Sequence, residues 1–210
     1  MKNVTDRTSN PFGMSPPCEV ACSEGVSAVM GYGDANADFH LIGDYPGVHG
    51  GTETGVPFTG SVAGERLQPV LYERGFSTLP YADDPEYANL FASYCHMCCV
   101  PDGDPSAESY ADLERFFDAE LRAINAHILL PVGKRATTHV LREYTTLAHR
   151  VDLEMETLHA RELRGRGFMV IPIREPTDWT DGDRDRLVEK LEAVLASDYR
   201  QTKGVATLVG

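Results

Sequence analysis

The sequence predicts an α/β protein: a three-layer α/β/α sandwich with a central, mainly parallel four-stranded sheet. Three observations lead there. Four short apolar runs, each of strand length, are spread along the chain. Segments with helical apolar spacing stand between them. Glycine or proline closes most of the runs. Strands that alternate with helices imply parallel pairing, with both sheet faces covered. At 210 residues the chain fits one domain with a sizeable core. That domain is placed at residues 18–199, between an irregular arm at 1–17 and a tail at 200–210.

The arm reads as irregular because Asn10-Pro11, Gly13 and Pro16-Pro17 punctuate it. The first strand is "ADFHLIGD" at 37–44, apolar enough to be buried on both faces. A glycine-rich loop covers 43–60. The helix at 62–74 carries Leu67, Val70 and Leu71 on one face, and Gly75 stops it. Residues 87–99 read as a short helical turn running into a second strand. Asp104-Pro105 suits a cap followed by proline in a first helical turn. The helix after it runs to about residue 124, with Leu113, Phe116, Phe117, Leu121 and Ile124 facing the core. "AHILLPVG" at 126–133 is the third strand, followed by a helix at 134–144. "GFMVIPI" at 167–173 is the fourth, ending in "REP". In the last helix Thr180 and Asp183 suit a capping box, and Leu187, Leu191, Val194 and Leu195 form one stripe. The stretches 43–60, 95–99 and 174–179 all follow strand ends. They are expected to meet at the sheet edge where such folds bind ligands.

Charge narrows the function. The chain carries 19 basic and 32 acidic residues, a net charge of −13, with four lysines against fifteen arginines. This balance favours solubility, is compatible with a halophilic, salt-rich cytosol, and argues against a generic nucleic-acid-coating protein. No run reaches the length of a membrane span and no basic-then-apolar leader opens the chain, so a cytoplasmic protein without membrane contact is expected. Five cysteines fall into two groups, Cys18 and Cys22, then Cys95, Cys98 and Cys99. The odd count speaks against a disulfide framework. Separate clusters suit soft ligands converging on a metal or iron–sulfur centre, with small buried apolar residues as the alternative.

The loop "GDYPGVHGGTETGVPFTG" at 43–60 has six glycines. Glycines after a buried strand let backbone approach a ligand and direct N–H groups at an anion or a base edge. The spacing is neither a dinucleotide fingerprint nor a Walker loop. Asp44 is either an acceptor that orients a water or a substrate proton, or a cap on its own turn. Phe58 is either a core aromatic or a platform under a flat ring.

This loop resembles the first motif of the uracil-DNA glycosylase superfamily. Gly43-Asp44-Tyr45-Pro46-Gly47 is similar to the G-E-A-P-G opening of its family 4. His49-Gly50 and Thr54-Gly55-Val56-Pro57-Phe58-Thr59-Gly60 follow the spacing of its family 5. "CCVPDGDP", "INAHILLPVG" and "RGRGFMVIPIREP" resemble later family segments, so the likeness covers roughly residues 18–195. It implies an enzyme of base-excision DNA repair, a monomer that hydrolyses the N-glycosidic bond of uracil or another deaminated base in DNA. Flipping exposes such a base for stacking and hydrogen bonding. By the resemblance Phe58 stacks on the base and Asp44 handles the attacking water or the oxocarbenium-like sugar. Gly43, Pro46, Gly47 and His49 line the pocket, and Tyr45 takes the position of a tyrosine that bars the thymine methyl. Cys18, Cys22, Cys99 and Cys98, with Cys95 as alternate, would hold a 4Fe-4S cluster, with zinc as runner-up.

Three departures stand out. The histidine of the last motif, which stabilises charge on the departing base, aligns with Glu175, and neighbouring Arg174 is the candidate replacement cation. The asparagine that reads the base edge aligns near Tyr94 or Cys95. The usual fourth cluster cysteine falls near Arg115. Trp179 is either a wedge into the duplex or a packing residue. Two other readings stay open: a nucleic-acid-binding member that has lost catalysis, and a nucleotide- or metabolite-binding α/β protein.

Overall fold

The computed structural model describes residues 10–199; the tail at 200–210 and the first nine residues of the arm lie outside this range. The sheet has six strands in the order β1-β3-β2-β4-β6-β5. They are β1 (Tyr32–Gly33), β2 (Phe39–Gly43), β3 (Leu90–Tyr94), β4 (Ile128–Pro131), β5 (Leu163–Gly165) and β6 (Phe168–Val170). The four inner strands β3, β2, β4 and β6 are parallel, as expected. The two outer strands are antiparallel additions that the sequence analysis did not foresee. Two and three residues long, they are too short to show an alternating pattern. β5 turns into β6 through Arg166 and Gly167, both with positive φ (49° and 85°), the backbone of a tight two-residue hairpin turn.

The three layers follow from which side chains each strand sends to which face. Phe39 and Leu41 of β2 join Leu67, Val70 and Leu71 of α2 (Val62–Glu73) and Leu187 and Leu191 of α6 (Asp183–Ala196). Ile42 faces the other way and packs with Phe117 and Leu121 of α3 (Ala107–Ile124) and with Val140 and Leu141 of α4 (Gly133–Glu143). Each fully buried leucine or phenylalanine contributes about 2–3 kcal/mol. Among the described residues no helix is long and apolar enough to cross a membrane.

Several local expectations shift. Residues 87–99 hold strand β3 with no helical turn before it. Ser106, not Asp104, caps α3, by accepting from the Ser109 N–H. Gly182 is the N-cap of α6, and Asp183 closes half of the expected box by accepting from the Thr180 N–H (2.7 Å) and hydroxyl (2.9 Å). A one-turn helix α1 (Pro46–His49), a second short helix α5 (Met155–Leu158) and a 3-10 turn at Pro176–Asp178 complete the helical elements of the described residues.

Candidate active site

Strand β2 ends at Gly43, and the loop beyond it is held by close backbone approaches. A Cβ at Gly43 would lie 2.6 Å from the Tyr94 ring and 2.8 Å from His49 Nδ1. At Gly50, with φ of 93°, it would lie 2.1 Å from the Thr59 carbonyl, so the close pairing of loop strands there requires glycine. A Cβ at Gly47 would meet the Tyr45 ring at 2.5 Å, which lets Tyr45 lie over the short α1 turn that Pro46 opens.

Phe58 sits at φ of 60°, a left-handed conformation that costs a side-chain-bearing residue roughly 1–3 kcal/mol. Hydrogen bonds over-determine it. Its N–H donates to the Tyr94 hydroxyl at 2.7 Å, that hydroxyl donates to the Gly50 carbonyl at 3.0 Å, and Gln68 Nε2 donates to the Phe58 carbonyl at 2.9 Å. The Phe58 ring is fully buried. His49 lies against it at 5.2 Å between centroids and 31° between planes, and Tyr94 meets it edge-on at 5.4 Å. A base can stack on this ring only after a covering side chain moves. The Tyr94 hydroxyl, spent on two backbone groups, has no proton left to offer a base edge.

The His49 ring joins the first loop to the segment after β6. Its Nδ1 accepts from the Asp44 N–H at 2.9 Å, and its Nε2 lies 2.9 Å from Glu175 Oε2. A backbone N–H can only donate, so Nδ1 is unprotonated and Nε2 carries the proton, donating it to the carboxylate. Glu175 Oε1 is buried and has no hydrogen-bond partner. The Glu175 carboxyl also stands beside Gly133, where a Cβ would be 3.0 Å from Oε2. Arg174 turns away from it: its guanidinium donates to Asp183 (3.2 Å) and Glu156 (3.4 Å). Trp179 is half-buried, packs on the core and donates from Nε1 to the Arg174 carbonyl at 2.8 Å.

On the other side of the loop, Asp44 Oδ1 accepts from the Tyr110 hydroxyl, and Oδ2 lies 3.5 Å from Arg135 Nε. Burial raises the Asp44 carboxyl above its ordinary range, against the pull of Tyr110 and Arg135. Burial, and then the bond to Asp44, likewise push the Tyr110 phenol far up. The Arg135 guanidinium lies 4.5 Å over the Tyr110 ring. Tyr45 donates to Asp104 at 2.7 Å, and its phenol is raised to about 12, first by burial and then by that carboxylate. A cleft of about 520 Å³ opens beside this network, between α3 and α4, lined among others by Tyr110, Lys134, Arg135 and His139. Sequence reasoning missed Tyr110, Arg135 and Gln68. Arg135 had one signal, its place in the first turn after a strand end, where ligand-facing residues gather.

Four of the five cysteines converge, as the disulfides Cys18–Cys98 and Cys22–Cys99, each with Cα atoms 5.2 Å apart. The expectation from the odd count is corrected: two clusters placed face to face can pair and leave one over. That one is Cys95, buried in the α3/α4 core with its thiol pushed well up by burial, and it does not join the other four. Paired sulfurs offer no thiolate, and among the described residues no group of three or more His, Cys, Asp or Glu side chains is arranged to hold a metal. The donor set itself, four neighbouring cysteines, suits an all-thiolate centre in number once reduced.

A sequence model of the Uracil DNA glycosylase superfamily matches residues 30–194. The chain is 31% identical over 120 residues to a type-5 uracil-DNA glycosylase of Thermus thermophilus, covering 55% of each protein. It is 30% identical over 115 residues to that of Pyrobaculum aerophilum, covering 53% of this chain and 51% of the relative. It is 28% identical over 120 residues to that of Mycobacterium leprae, covering 54% and 52%. The chain spans about half the length of the curated relatives it matches.

Proposed function

Since the chain belongs to the uracil DNA glycosylase superfamily, we propose that it is a cytoplasmic, monomeric DNA glycosylase of base-excision repair. It excises uracil or a related deaminated base by hydrolysing the N-glycosidic bond. The observation that carries this reading is the meeting of the first loop, Tyr94 and Glu175 at the carboxyl ends of the parallel strands, around Phe58. In the reading, a flipped nucleotide displaces the cover on Phe58, and the base stacks on that ring. Gly43, Pro46 and Gly47 admit the sugar and base, and Tyr45 limits the size of the base. Of the two carboxylates at the site, Asp44 and Glu175, one borders the sugar, while Arg174 fixes the segment that carries Glu175.

Reduced Cys18, Cys22, Cys98 and Cys99 are the proposed holders of a 4Fe-4S cluster, with zinc as the alternative. Such a centre would supply a structural tie between the N-terminal arm and the loop after β3. No step of hydrolysis passes through it. Catalysis rests on this chain's own side chains, which orient the nucleotide, exclude water from the base and handle one proton.

The test is abasic-site formation on single- and double-stranded oligonucleotides containing uracil, hypoxanthine or xanthine, at low and at multimolar salt. Strand breaks at the modified position after alkali are expected. Base-dependent binding without any cleavage would instead favour a second reading, a binding module, which an acceptor at Glu175 in place of the last-motif histidine supports.

A further inference from the structure

Two carboxylates border the candidate site, and their surroundings differ. Asp44 Oδ1 accepts from the Tyr110 hydroxyl, and Oδ2 is paired with the Arg135 guanidinium 3.5 Å away. Burial raises its proton affinity, but a carboxyl that accepts from Tyr110 on one oxygen and faces the Arg135 cation with the other is a poor place for a water proton to go. Glu175 has one oxygen committed to the His49 Nε2–H and the other free. That free oxygen, Oε1, is shielded from solvent yet unpaired, which is costly unless a ligand or water completes it. Its orientation is fixed from behind. The Asp44 N–H selects the His49 tautomer, His49 holds Oε2, and Gly133 leaves the room in which the carboxyl sits.

We propose that Glu175, not Asp44, is the carboxylate that receives the proton of the attacking water and faces the cationic sugar, with His49 as its positioning residue. This rests on the glycosylase reading above. In the step, the water oxygen bonds to the sugar C1′ and the C1′–N bond breaks. Its electron pair leaves with the base, and the water proton passes to Glu175 Oε1. Asp44 holds Tyr110 and Arg135 in place and touches neither water nor sugar. The residue that breaks the family pattern becomes the proton acceptor of this chain.

The assignment is tested by binding, without turnover. Two duplexes are compared, one carrying a positively charged pyrrolidine in place of the abasic sugar and one carrying the uncharged tetrahydrofuran analogue. The protein should bind the charged analogue at least tenfold more tightly. Glu175→Gln should bring this ratio close to one and leave affinity for the neutral analogue unchanged, while Asp44→Asn should retain the ratio. His49→Gln, which keeps a donor in place of Nε2–H, should retain it, and His49→Leu should lower it. A full ratio in Glu175→Gln, or its loss in Asp44→Asn, would overturn the assignment alone; equal ratios in the two His49 variants would overturn the positioning role. Neutral analogue bound no more tightly than undamaged duplex would overturn the glycosylase reading, and this proposal with it.

Discussion

Raising the pH from 6.5 to 8 should destabilise the protein by about 2 kcal/mol through one side chain, Glu120. Glu120 lies on α3, fully buried against the sheet, and its Oε1 accepts from the Gly31 N–H at 2.9 Å. Burial pushes its carboxyl up to about 8, and the Gly31 N–H and the Ser93 hydroxyl oppose this only in part. Next to it His40, whose Nε2 lies 2.8 Å from Ser93 Oγ, is pushed down to about 3 by burial. The signs are opposite. An unfolded Glu120 ionises near 4.5 while the folded one keeps its proton to about 8, so stability falls as pH rises between those values, by about 1.4 kcal/mol per unit. An unfolded His40 takes up a proton below 6.5 while the folded one stays neutral to about 3, so stability falls as pH drops between those values at the same slope. Between 4.5 and 6.5 the slopes cancel. The contributions of these two groups therefore offset each other there; the alkaline shoulder belongs to Glu120, and the acid limb is shared by His40 with His96, His139 and His159, which burial also pushes down. Urea denaturation at a series of pH values reads both. Glu120→Gln keeps an acceptor for Gly31 but cannot ionise, so its curve should stay flat from 6.5 to 8 and decline below 6.5, where His40 is no longer compensated. A Glu120→Gln protein that still loses about 2 kcal/mol between 6.5 and 8 would refute the reasoning.

Tyr94→Phe should cost about 2–4 kcal/mol in thermal or urea unfolding, because the Phe58 N–H and the Gly50 carbonyl both lose their partner in a buried place. Hydrogen exchange of the Phe58 amide should rise in the same variant. Phe58→Leu should keep the fold within about 2 kcal/mol, as a smaller apolar side chain in the same core position, and lose at least tenfold in base-dependent oligonucleotide binding; unchanged affinity would remove Phe58 from the pocket. Gly50→Ala should destabilise by about 3 kcal/mol or more, since a methyl 2.1 Å from the Thr59 carbonyl cannot be placed and the backbone at φ of 93° disfavours it. Protein reduced anaerobically and supplied with iron and sulfide should gain an absorption band at about 400 nm if the four converging cysteines hold a cluster. Cys98→Ser should lose the band and Cys95→Ser should keep it.

What the sequence made legible follows from how far each signal reaches along the chain. The inner strands are buried on both faces, so "HLIG", "LFAS" and "ILLP" are mainly apolar runs, broken only by His40 and Ser93, that announce themselves locally. The edge strands β1 and β5 carry no such pattern, because two or three residues paired on one side need none. The candidate site divides in the same way. The loop from Gly43 to Gly60 was visible because its glycines answer contacts within a few residues, such as Gly50 against Thr59. Tyr110 was invisible and Arg135 was signalled only by its place after a strand end, since their approach to Asp44 depends on the registers that set β3 and β4 on either side of β2.

The pairing of His49 with Glu175 spans 126 residues, and it changes the meaning of the departure at position 175. His49 gives Nδ1 to the Asp44 N–H, so it can present only a proton to residue 175. A histidine there could accept that proton with one ring nitrogen and would then show an N–H donor on its other side. A glutamate accepts the same proton with one oxygen and shows a second acceptor. The two residues satisfy His49 equally well and invert the polarity of the group left facing the site. A donor there suits the negative charge that gathers on a departing base, and an acceptor suits the positive charge that gathers on the sugar and the proton of the incoming water. Read in isolation, Glu175 opposes catalysis on the base; read together with His49, it moves the stabilisation from the leaving group to the sugar.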